Sequence, residues 1–567
     1  MNRLNESFSA GHAWLSARAD LLDRINVFPI ADSDTGTNLR ISLGPLRVCG
    51  NDRKALVSRL HRSATGNSGN IAAAFFGELV KATSVDELPA MAALGRQMAW
   101  QAIADPRQGT MLNVFDTLAA LLAEAPLTED SCRDLLTAMQ ESVLATATIL
   151  PDLRSAGVVD AGALGMFVFF DGFFRTLTGC QQERLPLTAL FPGRLEIAGA
   201  FRQKARAGYC VDALLRPSSD SALSAETIAA MGESVVVVRG EDQLKIHLHT
   251  ANPRELRQSL DRLGEVITFS DEALPTGAAQ QPRVPARPGC LHIITDAAGS
   301  LPRDLARDHG ITLLDSYIIS GDTAQPESLC APPAIYAQLR AGTRVTTAQA
   351  SLTERHELYG SICEQYGRTL YLCVGSAFTG NYAAATAWQR QHGKLFEVID
   401  TGAASGRLAL IALLTARRSH TAGDAAEVAA YARALADSCR ELVFIDTLRY
   451  LVAGGRVSRT GGFFGDLLRM KPVITPTRDG VRKLGVVRSR EAQLDFALKS
   501  LRAETAGHRE LLLLLQYSDN RQWVEETAQP KIRTLLPEAE IELVPLSLTS
   551  GVHMGPGTWA VAFAPSR

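Results

Sequence analysis

The sequence lacks any apolar run near the ~18 residues that a membrane span requires; the nearest, Leu408–Leu414, is far shorter. It lacks an excess of charge of one sign. Lys plus Arg number 58 and Asp plus Glu 60, so a net charge of −2 leaves no electrostatic footprint for nucleic acid or an anionic bilayer. Cysteine is scarce, nine residues without regular spacing, which suits a reducing compartment and excludes a disulfide framework. Arg3, Glu6, Arg18 and Asp20 interrupt the first twenty residues, so no secretory leader is expected there. There is no short-period repeat, no low-complexity tract, no Walker A sequence and no protein-kinase signature. The expectation is a cytoplasmic, soluble protein; the chain has 567 residues, 46% of them hydrophobic and 21% charged. At roughly 150 residues per domain it should form three to four units.

Periodicity divides the chain. Up to about Gly179, stretches such as Leu56–Leu60, Val114–Glu124 and Met166–Leu177 repeat apolar residues at helical spacing, and a helix is expected over Ile71–Lys81. From Leu195 to Thr268 the period shortens. Ser234–Val238 and Leu244–His249 read as strands, and Asn252 should cap a helix opening at Pro253. The four prolines of Asp271–Gly289 read as an interdomain linker. Beyond it Leu291–Ile294, Thr369–Val374, Leu395–Ile399, Leu442–Ile445, Leu511–Leu515 and Ile541–Val544 alternate with helical stretches, which predicts an α/β domain with largely parallel sheets. The boundaries expected are 1–182 for an all-α domain, 190–270 for a small α+β middle domain, 271–289 for the linker and 290–567 for the α/β domain.

The densest polar cluster in the helical region runs from Asn26 to Asn38. Asp32 and Asp34, two apart in a loop, can converge on one hard cation such as Mg²⁺. Gly36 frees the turn, and Thr37 and Asn38 can donate to phosphate or cap the following helix. Alone, the segment reads equally well as an Asp-rich turn and N-cap. A second cluster, Thr65-Gly66-Asn67-Ser68-Gly69-Asn70, precedes the Ile71–Lys81 pattern, and two more small-residue loops carry Thr110 and Asp160. Each could be an ordinary interhelical turn; four in one helical domain suggest an anion site.

Farther on, His247 and His249 share one face of a strand, with Cys210 upstream on another. A thiolate and two imidazoles could bind Zn²⁺ with an open fourth position, although spacing alone favours surface histidines and a buried cysteine. In the α/β part, Asp296, Thr346–Ser351, Gly375–Asn381, Asp400–Gly402, Gly454–Arg456 and His553–Gly557 lie at strand ends, where such sheets place ligands. Individually these are more often turns or caps; together they could hold a carboxylate or phosphate.

Asn26–Asn38, Gly66–Gly69, Gly109–Met111 and Ala156–Gly162, in that order, resemble the L-type domain of dihydroxyacetone kinases, and most of all the ATP-binding component of bacterial fatty-acid kinase. The resemblance implies an eight-helix antiparallel barrel binding ATP and Mg²⁺ at one end. Asp32 and Asp34 would hold magnesium, with Asn26 where related kinases place another Asp. Asn38, Thr37, Ser68, Gly69, Thr110 and Asp160 would meet phosphate or nucleotide. Gly208-Tyr-Cys210 and Lys245–Pro253 resemble the middle domain of the same kinase component and strengthen the zinc expectation for Cys210, His247 and His249. Thr295–Pro302, Thr347–Ser351, Gly375–Gly380, Asp400-Thr401, Leu448–Arg456, Lys471-Pro472 and His553–Gly557 resemble the DegV family of fatty-acid-binding proteins. There Thr347, Ser376 and His553 would hold the fatty-acid carboxylate, Arg456 would offset its charge or meet the incoming phosphate, and an apolar tunnel would take the tail.

The implied function is ATP-dependent phosphorylation of a bound fatty acid to an acyl phosphate for phospholipid synthesis, with Asp32, Asp34 and Arg456 as catalytic residues. An acyltransferase using that product and a second copy of the chain are the expected partners. Peripheral membrane contact stays open, and nucleic acid is not expected. Ser33 replaces a glycine, Ala31 a proline, and Ala163-Leu164 a Gly-polar pair. These departures keep two alternatives open: a lipid-delivery protein with a degenerate kinase half, and a kinase of a small hydroxyketone.

Overall fold

The protein is described here by a computed structural model in which residues 2–29, 34–50, 52–180, 184–199, 201, 208–218, 225–240, 242–274, 291–321, 323–327, 330–421, 424–453, 470–508 and 510–565 are described. The chain forms two compact units, Met1–Gln281 and Pro282–Arg567.

The first unit begins with helices α1 (Asn2–Ser16), α2 (Ala19–Ile25), α3 (Thr35–Ser42), α4 (Arg53–Ser63), α5 (Gly66–Leu79), α6 (Leu88–Ala102), α7 (Met111–Glu124), α8 (Glu129–Ile149), α9 (Pro151–Ala156) and α10 (Ala161–Thr178). Nearly every residue of α10 is apolar and buried, as a helix without a polar face must be. It packs on α1, α2, α3, α7 and α8. An aromatic cluster ties these helices together: Phe76 of α5 meets Phe169 of α10 at 4.6 Å, and Phe75 of α5 stacks on Phe115 of α7 at 4.0 Å. Such pairs add about 0.5–1.5 kcal/mol beyond their buried area. The start of α5 corrects the sequence expectation. Thr65 takes extended dihedrals at the N-cap, so the helix opens at Gly66 and ends at Leu79, and Asn67, Ser68 and Asn70 lie on its first turns.

A four-stranded antiparallel sheet completes this unit: β1 (Tyr209–Pro217), β2 (Glu233–Arg239), β3 (Leu244–Thr250) and β4 (Gly264–Ala273), ordered β2-β3-β1-β4. Alternation gives it two buried faces. Val211, Ala213, Leu215, Ile246 and Leu248 pack with Leu256 and Leu260 of the helix Pro253–Asp261, whose Asn252 cap accepts the Glu255 N–H. On the opposite face Val236 and Val238 pack on Ala74 of α5 and Ala102 of α6. Strand β4 takes in Asp271–Ala273, the first residues of the proline-rich segment, and 275–289 lie outside the described residues.

The second unit contains β5 (His292–Asp296), β6 (Ile311–Leu314), β7 (Tyr317–Ser320), β8 (Thr323–Pro326), β9 (Val345–Ala348), β10 (Thr369–Cys373), β11 (Phe396–Asp400), β12 (Arg440–Phe444), β13 (Lys471–Thr477), β14 (Gly480–Val487), β15 (Leu511–Tyr517), β16 (Glu540–Pro545) and β17 (Trp559–Pro565). The sheet β11-β10-β5-β6 is parallel throughout. The six-stranded sheet β14-β13-β12-β17-β15-β16 is mixed, with β15–β16 its parallel pairing, and β8-β7-β9 is antiparallel. Parallel order therefore extends less far than strand–helix alternation predicts. Only two residues separate β13 from β14, too few for a crossover, and the last strand inserts between β12 and β15. Helix Ser405–Ser419 is buried on nearly every side and packs on β5, β15 and β17. Its N-terminus is held by buried Glu441, which accepts Ser405 Oγ at 2.7 Å and Gly406 N–H at 3.0 Å.

Candidate active site

One narrow cleft gathers residues from three parts of the first unit. Asn26 closes α2, and Asp34 and Asn38 stand one turn apart at the start of α3. Gly66, Asn67 and Ser68 come from the first turn of α5, and Cys210, His247 and His249 from the sheet. Thr35 Oγ1 lies 3.4 Å from Ser68 Oγ, joining the two helix starts. Gly66 has φ +63°, and a Cβ there would fall 2.0 Å from Asn38 Nδ2; glycine alone lets the amide lie against the turn. Carboxylate and amide oxygens on one wall suit a hard cation, and helix N–H groups on the next suit its anionic partner. Asp32 lies outside the described residues.

The third wall follows from strand register. β1 and β3 pair so that Cys210 faces His249 and Asp212 faces His247. Cys210 Sγ lies 3.9 Å from His247 Nδ1, and one donor atom from each of Cys210, His247 and His249 fits within 4.8 Å. Both histidines are buried. One sulfur and two imidazole nitrogens are a donor set that zinc accepts. Asp212 sits behind them. Burial opposes its ionisation, but the charge and hydrogen bond of His247, then Lys245 and the Gly66 N–H, outweigh it and hold the carboxyl well below the usual range.

The other expected nucleotide residues divide. Thr37 gives both its N–H (3.0 Å) and its hydroxyl (2.7 Å) to buried Asp23 of α2, a link between α2 and α3. Gly69 is a packing position, since a Cβ would lie 2.1 Å from Ser42 Oγ. Thr110 caps α7 in a reciprocal box with Asn113. Asp160 caps α10, accepting the Ala163 N–H at 2.7 Å, and also takes a hydrogen bond from the Met111 backbone, so the third and fourth loops meet where α7 and α10 begin. Burial pushes its pKa up to about 7 against the N–H groups of Ala163, Gly162 and Met111. Ala163 and Leu164, which depart from the kinase pattern, are core residues.

In the second unit Thr347 Oγ1 and His553 Nε2 meet at 3.2 Å. Ser376 does not join them by a hydrogen bond: it is exposed on the loop after β10, and its N–H donates to Asp400. Arg456, with Gly454 and Gly455, lies outside the described residues. Asp296 is a fully buried hub, accepting Tyr371 Oη, Val374 N–H and Asn381 Nδ2, each at 2.8 Å. Buried Glu327 was not singled out by sequence. It accepts the Thr549 N–H at 2.6 Å and hydroxyl at 2.5 Å, fixing the helix Leu548–Met554 that carries His553. Asp23, Asp212 and Lys245 were also missed. The signal for two of them was legible: Cys210-x-Asp212 and Lys245-x-His247-x-His249 place five polar groups on one face of paired strands.

Family models assign all three parts. A DAK2 domain model matches residues 29–175, a model of the FakA-like fatty acid kinase middle domain matches 206–280, and an uncharacterised-protein model of the DegV family matches 290–566. The chain joins a DAK2 domain, a FakA-like middle domain and a DegV domain. Protein YloV of Bacillus subtilis is 29% identical over 369 residues, which cover 57% of this chain and 65% of YloV. An uncharacterized protein of Staphylococcus haemolyticus is 27% identical over 287 residues, 46% of this chain and 52% of its own. The chain thus spans between half and two thirds of the relatives it matches. Among solved structures, a fatty-acid-binding DegV family protein from Thermus thermophilus is 24% identical with a TM-score of 0.46, covering 49% of this chain and 99% of its own. DegV of Bacillus subtilis, a fatty acid binding protein, is 17% identical with a TM-score of 0.45 over the same 49% and 99%. No described helix is long and apolar enough to cross a membrane.

Proposed function

We propose that the chain is a fatty-acid kinase carrying its own acyl-binding domain: the DAK2 domain transfers the γ-phosphate of ATP to the carboxylate of a fatty acid held by the DegV domain, giving ADP and an acyl phosphate. The observation that carries this reading is the cleft in which Asp34, Asn26 and Asn38 face the first turn of α5 across from Cys210, His247 and His249. The matches to a DAK2 domain and to a FakA-like fatty acid kinase middle domain support it.

The residues present fit both cations. Asp34 and Asn26, with Asp32, would hold Mg²⁺, which when bound supplies charge neutralisation at the phosphates. Cys210, His247 and His249 would hold Zn²⁺. Ser68 and the Asn67 and Ser68 N–H groups in the first turn of α5 orient phosphate oxygens, the Gly66 N–H being held by Asp212, and Asn38 fixes that turn against α3. The acceptor needs no general base, because a carboxylate is ionised at pH 7. Catalysis then reduces to positioning and electrostatic stabilisation. In the DegV domain Thr347 and His553 grip the carboxylate, with Ser376 and Arg456 completing the head-group site. The proline-rich segment tethers the domains and raises the effective concentration of acceptor to roughly millimolar. A second copy of the chain and an acyltransferase consuming the product complete the reading.

The test is ATP turnover with purified protein. Oleate should stimulate ADP release, and Asp34→Ala should lower that rate on the order of 10²-fold. Turnover with dihydroxyacetone and not oleate would make it a hydroxyketone kinase. Bound lipid with no turnover would make it a carrier.

A further inference from the structure

We propose that Asp212 is a positioning residue that couples the Cys210/His247/His249 cluster to the phosphate-side turn of α5. The inference deepens the reading above and rests on its zinc part. Asp212 is 8% exposed, and its two oxygens serve both sides of the cleft. Oδ2 accepts Thr65 Oγ1 at 3.2 Å and the Gly66 N–H at 3.1 Å, and lies 3.3 Å from His247 Nδ1. Oδ1 accepts Asn70 Nδ2 at 3.1 Å and lies 3.3 Å from Lys245 Nζ.

A carboxylate that merely capped α5 would need only the α5 donors, and one that merely balanced a strand lysine would need only Lys245. Asp212 does both and also holds an imidazole. A histidine engaged at Nδ1 by a carboxylate presents Nε2 to a ligand in a fixed orientation. The oxygen that sets the His247 ring is the oxygen that accepts Gly66 N–H, two residues before Ser68. Any shift of the ring on metal binding therefore reaches the α5 turn through a single atom, with no intervening side chain. Strand register makes the arrangement rigid: Asp212 pairs with His247 and Cys210 with His249 on one face of β1 and β3.

The experiment uses the full chain, with zinc affinity read by competition against a chromophoric chelator and α5 read by hydrogen exchange of Gly66–Asn70. Asp212→Asn should bind zinc about 10–100-fold more weakly, the usual cost of losing such a support. Thr65→Val keeps the side-chain shape, touches no zinc donor and should still weaken zinc several-fold. In the wild type, zinc should slow exchange at Gly66–Asn70, and Asp212→Asn should abolish the slowing. Wild-type zinc affinity in both variants, or α5 exchange indifferent to zinc in the wild type, would overturn the coupling. If Asp212→Asn does not fold, Thr65→Val decides alone. A wild type that takes up no zinc refutes the metal reading instead, and exchange then judges Asp212 on its own: faster exchange at Gly66–Asn70 in Asp212→Asn upholds its hold on α5, and unchanged exchange removes it.

Discussion

At the scale of single residues, the site depends on carboxylates whose surroundings pull them in opposite directions. Asp212 is surrounded by donors and stays charged, whereas Asp160 is buried beside backbone N–H groups that do not fully replace water, and its pKa rises to about 7. The sign of the consequence is fixed. Between the unfolded value of about 4 and about 7 the folded chain binds the extra proton, so stability present at the acid end is lost as pH rises through that window. Asp160→Asn, neutral at every pH, should flatten this leg of the stability curve, whose slope is at most about 1.4 kcal/mol per pH unit. Urea denaturation of both proteins from pH 4 to 8 measures it. Identical slopes would mean that Asp160 is charged in the folded state. In the DegV domain, Thr347→Val removes the partner of His553 and should weaken binding of a fluorescent fatty acid about tenfold, the size of one hydrogen bond to a charged group. Unchanged affinity would place the carboxylate elsewhere.

At the scale of elements, the helix starts were legible as polar clusters, but their exact placement was not. Thr65–Asn70 read as a loop because small polar residues favour turns; in the fold, the donors of Gly66 and Asn70 are taken up by Asp212, about 140 residues away, which stabilises a helix that propensity alone would not start. Cys210, His247 and His249 were visible as a strand pattern, and the same alternation puts Asp212 on their face; its partners were not legible, because they are fixed by β1–β3 register and by packing on α5. Three strands of the parallel sheet, β5, β10 and β11, were visible as apolar runs; β6, β13, β14 and β17 were not, and the pairing direction was not either, since it depends on connection length and not on hydropathy. The closest approach of backbone to backbone near the site is that of α2 and α3, where a Cβ on Gly36 would lie 2.0 Å from the Ala19 carbonyl oxygen. Backbone cannot yield as a side chain can. Gly36→Ala should therefore destabilise the helical region by at least about 1–3 kcal/mol and displace Asp34 and Asn38 together. Thermal unfolding with a nucleotide-affinity assay checks both effects, and an alanine variant of wild-type stability would contradict the packing.

At the scale of the whole molecule, matches to a DAK2 domain, a FakA-like middle domain and a DegV domain follow one another along one chain, and the proposed function puts a phosphoryl donor in the first and an acyl acceptor in the last. The middle domain is part of the first compact unit: its sheet supplies one wall of the cleft and packs on α5 and α6 through Val236 and Val238. That union was not legible from composition, which marks the change of period near Leu195 but says nothing about which face of the sheet is covered. The central claim is a transfer between two substrates held by one polypeptide, and its product is chemically distinctive, because an acyl phosphate reacts with hydroxylamine to give a hydroxamate. The most direct measurement is mass spectrometry of the hydroxylamine-quenched reaction of the full chain with magnesium ATP and oleate. The account predicts oleoyl hydroxamate in amounts matching the ADP released, and none from Asp34→Ala. ADP released with no hydroxamate, or hydroxamate at the wild-type level from Asp34→Ala, would contradict it.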